Sequence, residues 1–303
     1  MSEPTDRLSK EDLERIFQEK VLPKSRLDEL TSHETPKAIV LAGQPGAGKG
    51  ALVRAAREEF RGDILVIDPD EQRERLPGVR RLQESDPFGW PKATNTDAFK
   101  LANGLRDEGI KRHVNLVIDG SMSDAGNSIR TIEALQKKGY EVEVRAISTH
   151  WLESEQGIDR RFARQIDRFG VARDVDMDFH NRVYNDLPGN MERVAEARGV
   201  QVRIYDREIN ELYDNRRDVG SPSEVLRETR TGRMEDPEVR QRLSEDWKQQ
   251  QAWHEAMPEA IRARQDISPT TAEALIAGSA ERGKLERATV RAEGIGAIDA
   301  PVQ

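Results

Sequence analysis

The 303-residue sequence contains no cysteine, so it has neither a disulfide framework nor a thiolate zinc site. It also lacks any apolar run approaching the roughly 18 residues that a membrane span requires. Its start, MSEPTDRLSKEDLERIF, is polar and acidic and does not read as a secretory signal. These absences lead to the expectation of a soluble protein of a reducing cytoplasm, with no membrane partner. Aromatic residues are scarce, at 5%, and acidic side chains outnumber basic ones, 56 to 48. Wrapping nucleic acid needs a basic footprint, and a net charge of −8 does not supply one. The balance still leaves room for a local basic site. Charged residues nearly equal hydrophobic ones, 34% to 36%, and mean hydropathy is −0.78. That is too polar for one uniformly packed globule, so part of the chain is expected as solvated helix or tail.

What the sequence does have is concentrated in residues 37–60, KAIVLAGQPGAGKGALVRAAREEF. Ala38, Ile39, Val40 and Leu41 read as a buried strand, and Leu52, Val53, Ala56 and Phe60 recur at helical spacing. Between them lie Gly43, Gln44, Pro45, Gly46, Ala47, Gly48, Lys49 and Gly50. Strand, Gly-x4-Gly-Lys, helix is the pattern of a phosphate-binding loop. Glycines let several N–H groups converge on one centre, and the helix N-terminus adds positive potential there. Lys49 supplies a mobile ammonium for the outer phosphates of ATP. A glycine-rich turn with no ligand would use the same glycines, but the flanking strand and helix favour the phosphate loop. The residue after the lysine is normally Ser or Thr, whose hydroxyl reaches Mg²⁺. Gly50 stands there instead. The cradle is backbone and is expected to survive; the metal site loses a direct ligand. A nucleotide-binding protein without transfer therefore stays open as a second reading.

Along the chain, Ser9 and Asp12 mark a helix start over residues 10–20, with Leu13, Ile16 and Phe17 on one side and Pro23 as its stop. Residues 1–35 are thus expected as an N-terminal helix packed on the main domain. Ile64–Asp68 reads as a second strand, with Asp68-Pro69-Asp70 at its carboxyl end, where open α/β sheets hold ligands. Residues 71–95 read as a long excursion carrying Phe88 and Trp90, and residues 96–109 as helix. Val114–Asp119 is a third strand ending in Asp119, a carboxylate in a Walker-B-like position, with Ser121 beyond it. A helix over 127–138, capped by Gly139, precedes Tyr140–Ile147, whose alternation suggests a strand nearer an edge. Arg160, Arg161, Arg164 and Arg168 follow at helical spacing, then Arg173. A charge run is usually a solvated face, but beside a phosphate loop some of these guanidiniums are expected to clamp phosphate. His180 reads as structural. A helix over 187–198 and a fifth strand, Val200–Tyr205, complete an α/β fold: a phosphate-loop, kinase-like parallel sheet of about five strands flanked by helices. Residues 36–215 form that domain. Residues 216–303 read as a charged, helical C-terminal extension, with helices over 239–257 and 270–291, proline punctuation and a frayed last dozen residues.

With AGQPGAGKG, VIDPDEQR, NLVIDGS, LQKKGYE, GVAR, NDLP and IYDRE in this order, residues 36–215 resemble the zeta toxins, the kinase half of bacterial epsilon–zeta toxin–antitoxin pairs. The resemblance implies transfer of phosphate from ATP, with Mg²⁺, to a hydroxyl of UDP-N-acetylglucosamine. It implies that Lys49 is the phosphate-loop lysine, Asp70 the catalytic aspartate, and Arg161 and Arg173 the arginines on the transferring phosphate. Asp119 stands where the family often has Glu, with a possible metal role, and Ser121 and Thr131 fall at substrate-lining positions. Phe99 and Ser123 depart from charged sugar-contacting positions. Because a plant-pathogen effector of related fold phosphorylates NAD, the resemblance leaves the acceptor open. A helical antitoxin is an implied partner.

Overall fold

The computed structural model describes residues 8–197 and 199–295. The first seven residues of the polar start and the last eight of the expected frayed end lie outside these. Six strands form one sheet in the order β2-β3-β1-β4-β5-β6: β1 Lys37–Ala42, β2 Leu65–Ile67, β3 Leu116–Ile118, β4 Glu141–Ile147, β5 Gln201–Tyr205 and β6 Glu211–Asp214. The first five pair in parallel, and β6 runs antiparallel to β5. The sheet is the expected α/β one with an antiparallel edge strand added. On β1, Ala38, Val40 and Ala42 join the core on one face, while Ile39 and Leu41 join the core on the other. A near-continuous apolar run is what a strand buried on both faces needs.

The helices follow in chain order. Ser9 caps α1 (Lys10–Ile16) by accepting from the Asp12 N–H. The N-terminal helix does not stop at Pro23: a π-helical turn, Phe17–Val21, leads directly into α2 (Leu22–Ser25) with the proline in its first turn. Proline has no N–H to donate, and it follows the wider π turn, where the hydrogen-bond ladder changes register. Next come α3 (Lys49–Glu59), α4 (Pro69–Arg73), α5 (Val79–Ser85), α6 (Trp90–Ala93), α7 (Asn95–Lys111) and α8 (Ala125–Gln136). Then α9 (Trp151–Phe169), α10 (Met177–Ala195), α11 (Pro222–Arg233), α12 (Pro237–Arg262), α13 (Pro269–Glu281) and α14 (Lys284–Glu293) complete the chain. Leu52 and Ala56 of α3 cover the face of Ile39 and Leu41. Leu101 and Leu105 of α7, Ile132 and Leu135 of α8, and Leu187 and Met191 of α10 cover the opposite face.

Three further expectations are corrected. Strand β4 lies between β1 and β5, not near an edge. Its alternation comes from Glu143 and Arg145, and Arg145 donates to Glu143 at 2.7 Å and to Glu59 of α3 at 2.7 Å. The polar side chains at the middle of the strand are therefore satisfied by ion pairs, one of them to α3. The expected helix over 270–291 is two, α13 and α14, broken at Gly283 (φ 63°). Pro258 does not punctuate; α12 continues through it to Arg262.

Candidate active site

The carboxyl ends of β2, β3 and β1 lie side by side, which brings three loops together. The Asp119 N–H donates to the Ile67 carbonyl at 2.9 Å, and the Gly43 N–H to the Ser121 carbonyl at 3.4 Å. The loop 43–48 then turns into α3 with Gly43, Gly46 and Gly48 at φ 149°, 76° and 107°. Only glycine adopts such backbone freely. Lys49 opens α3 and donates back across the loop to the Gly43 carbonyl at 3.0 Å. Its ammonium lies within electrostatic range of Asp119, Arg161, Arg173 and Asp70; burial first of all lowers its pKa.

Asp70 is placed by a short, well-determined device. Asp68 follows β2 and caps α4, accepting from the Asp70 N–H at 2.8 Å. Asp70, in the first turn, accepts from Arg73 one turn later at 3.0 Å and from Arg173. Burial works to raise the Asp70 pKa; Arg173, then Arg73 and Arg161, more than offset it, and the carboxyl stays below its ordinary range. Asp68 behaves oppositely. Burial, then the charges of Asp119 and Asp70, push it up to about 6. Two carboxylates two residues apart thus differ because only one has guanidinium partners.

Arg161 projects from α9 toward the same place. Its Nε and Nη2 are buried without a hydrogen-bond partner. Burial first, and Arg173 second, lower its pKa to about 10, so the guanidinium remains charged at neutral pH. Leaving buried charged donors unpaired is costly, and an anion with several oxygens is the group that relieves it. The arginine row does not act as a unit. Arg160 lies 3.7 Å from Asp246, and Arg168 stacks on Phe169, 5.0 Å from the ring centroid. Arg164 is exposed. Arg161 and Arg173 are the two brought to Asp70 and Lys49.

Among the described residues no cluster of three or more acidic or histidine side chains is positioned to hold a metal. Asp119 nevertheless has a buried Oδ1 with no hydrogen-bond partner and lies near Lys49 and Asp68. One or two carboxylates completed by phosphate and water suit Mg²⁺, so these residues fit it. Ser121 contributes its carbonyl to the phosphate loop. The Thr131 hydroxyl donates to the Asn127 carbonyl at 3.0 Å within α8. Phe99 is exposed on α7. His180 is buried and structural, its Nε2 2.8 Å from the Ser154 hydroxyl.

Sequence reasoning misses three residues that build this site. Arg73 is 6% exposed, so its donors must be met inside the protein; besides Asp70 it donates to Pro91, Thr94 and Asn95. Gly157 lets α9 lie against the loop: a Cβ there would meet the Gly46 carbonyl oxygen at 2.5 Å. Arg230, from α11, is buried and donates to the Gln44 side-chain oxygen at 3.2 Å and to the Tyr184 carbonyl at 2.8 Å. A glycine inside a nineteen-residue helix was the available signal for the second, since it costs about 1 kcal/mol against alanine. Arg230 had none.

The chain is similar to proteins already known. A family model described as zeta toxin matches residues 24–218. The toxin PezT of Streptococcus pneumoniae is 30% identical over 199 residues, covering 65% of this chain and 79% of the relative. A toxin zeta of Streptococcus agalactiae is 30% identical over 235 residues, covering 75% and 80%. A solved structure from work on the PezAT chromosomal toxin–antitoxin system of S. pneumoniae shares the fold, with a TM-score of 0.72 at 24% identity over 81% of this chain and 99% of that one.

Proposed function

The chain belongs to the zeta toxin family of ATP-using, kinase-like toxins, and from that premise we propose that it phosphorylates a hydroxyl of a nucleotide sugar such as UDP-N-acetylglucosamine. The observation that carries the transfer chemistry is Arg161: a buried guanidinium with two unpaired donors, beside Lys49 and an Asp70–Arg173 ion pair. That constellation is one anion short of satisfied, and a terminal phosphoryl group supplies the missing charge.

In this reading the N–H groups of residues 46–50 and Lys49 hold the β- and γ-phosphates of ATP. Arg161 and Arg173 lie against the equatorial oxygens of the γ-phosphoryl, where charge is spread in the transition state. Asp70 orients the acceptor hydroxyl for in-line attack and takes its proton. Arg173 couples the two events. When its guanidinium turns to the phosphoryl, Oδ2 of Asp70 is released, and the proton affinity that Arg173 had suppressed rises as the base is needed. Mg²⁺, held by Asp119 and water, would supply charge neutralisation between the phosphates. Asp119, Ser121 and Thr131 are the proposed acceptor-side residues. The protein acts in the cytoplasm, and a helical antitoxin is the expected partner, since the structural neighbour comes from a toxin–antitoxin system. Residues 1–35, 36–215 and 216–303 serve as N-terminal helix, kinase domain and C-terminal extension.

The test is incubation of the full chain with γ-labelled ATP and a panel of UDP-sugars and dinucleotides. Label on UDP-N-acetylglucosamine is the expected result. Label on NAD instead would keep the transfer chemistry and change the acceptor. ATP binding with no labelled acceptor would turn the reading to a nucleotide-binding regulator, the outcome that Gly50 favours.

Gly50 gives a second prediction. A Cβ there has Arg54 as its nearest neighbour, at 3.8 Å, so Gly50→Ser fits without moving the loop. The added hydroxyl is expected to lower the Mg²⁺ concentration giving half-maximal activity by about tenfold. An unchanged Mg²⁺ titration would mean that the ion is held away from the start of α3.

A further inference from the structure

Lys284, at the start of α14, is 1% exposed, so its charge must be met inside the protein. Its ammonium lies 2.8 Å from Asp174 and 3.3 Å from Asp159, and 4.6 Å from the centroid of the Phe162 ring. Asp159 is fully buried on α9 and also takes Arg287 at 3.1 Å. Asp174 takes Arg282 at 2.8 Å. The two acids occupy telling places. Asp159 is half a helical turn before Arg161, and Asp174 is the residue after Arg173. Between them the chain leaves α9 at Gly170, in the left-handed conformation, and runs without regular structure to α10.

From this we propose that Lys284 is a positioning residue: by tying Asp159 to Asp174 it fixes the distance between Arg161 and Arg173, so that both guanidiniums meet one terminal phosphate. The inference rests on the kinase reading for the identity of that phosphate. Three physical points carry it. Burying an ammonium between two carboxylates gains little stability over apolar packing, because desolvation offsets the attraction. What the cluster provides in this proposal is fixed geometry. Arg173 sits in an irregular segment whose backbone has two other side-chain anchors: Gln165 accepts from the Arg173 N–H at 2.8 Å, and Trp90 donates to the Ala172 carbonyl at 3.1 Å. Finally, Lys284, Arg282 and Arg287 all lie beyond the family-matched residues 24–218, so the C-terminal helices complete the arginine pair from outside it.

The experiment measures ATP and ADP affinity by calorimetry on the full chain, because only the γ-phosphate reports on the arginines. Lys284→Met keeps the stem against Phe162 and removes the charge. The wild-type protein is expected to prefer ATP to ADP by about tenfold. In Lys284→Met that preference should fall to about twofold or less with ADP affinity unchanged. In an Arg173→Ala background, Lys284→Met should cause no further fall. Asp174→Asn, nearly isosteric, is the second variant if Lys284→Met does not fold, and should reproduce the loss. A preserved ATP preference in either folded variant overturns the proposal. So does an equal loss of ATP and ADP affinity, which marks general loosening, or a wild type with no ATP preference. Failure of the kinase reading is seen separately, as an ATP preference without transfer to any acceptor.

Discussion

Replacing Asp70 with asparagine is expected to leave ATP bound and to cut phosphoryl transfer by about a thousandfold. The variant keeps the shape of the side chain and its acceptor for Arg73, so α4 and its Asp68 cap should stand. It loses the negative charge that now pairs with Arg173. A polyanion entering the site meets one less repulsive carboxylate, so ATP affinity should hold or rise. Transfer fails for a different reason: asparagine cannot accept the hydroxyl proton. The measurement is kcat at saturating ATP and acceptor, beside a calorimetric ATP affinity. A variant with wild-type kcat would remove Asp70 from the chemistry, and one that lost ATP affinity in parallel would make it a structural residue.

What could be read from the sequence divides along one line: sequence distance. The phosphate loop is legible because its strand, glycines, lysine and helix are contiguous, and their spacing is the geometry. Asp70 and Asp119 are legible because a carboxylate at the end of a parallel strand must emerge at the ligand edge. The arginines were half legible. Helical spacing placed four on one helix, but could not tell that Arg160 would find Asp246 on α12 or that Arg164 would face water. The resemblance singled out Arg161, and the packing of α9 against the loop is the physical reason that it, rather than its neighbours, is held there.

The remainder depended on partners far along the chain. Arg73 reads as one more charge in EQRER until Pro91, Thr94 and Asn95 fold over it. Arg230 reaches Gln44 across 186 positions. Lys284 reaches Asp159 across 125. No local pattern encodes such pairings, which is why the C-terminal region read only as a charged, helical extension. Strand β4 misled for a related reason. Alternating Glu143 and Arg145 looks like a wet face, yet ion pairs with Glu59 and Arg203 cover most of it.

Gly46→Ala is expected to abolish measurable ATP binding, a loss of at least about a hundredfold, and two separable effects produce it. At φ 76° an alanine is strained, but strain alone costs only of order 1–3 kcal/mol. The larger effect is steric. A Cβ on Gly46 would overlap the Ser154 carbonyl oxygen and approach Ile158 to 2.9 Å, both on α9. A backbone oxygen in a helix cannot swing aside, so either the loop or α9 must shift. If the loop shifts, the N–H groups that converge on phosphate diverge. If α9 shifts, it carries Arg161 with it. Gly62→Ala isolates the strain: φ there is 84° and nothing lies within 4 Å of the added carbon. That variant should lose some stability and keep ATP affinity. Gly157→Ala isolates the contact, because its Cβ would meet the Gly46 carbonyl from the helix side with no left-handed backbone involved. It should weaken ATP binding as Gly46→Ala does. Comparing the three affinities therefore separates loop conformation from loop–helix contact. If Gly157→Ala binds ATP as the wild type does, the close seating of α9 on the phosphate loop is not what shapes the cradle.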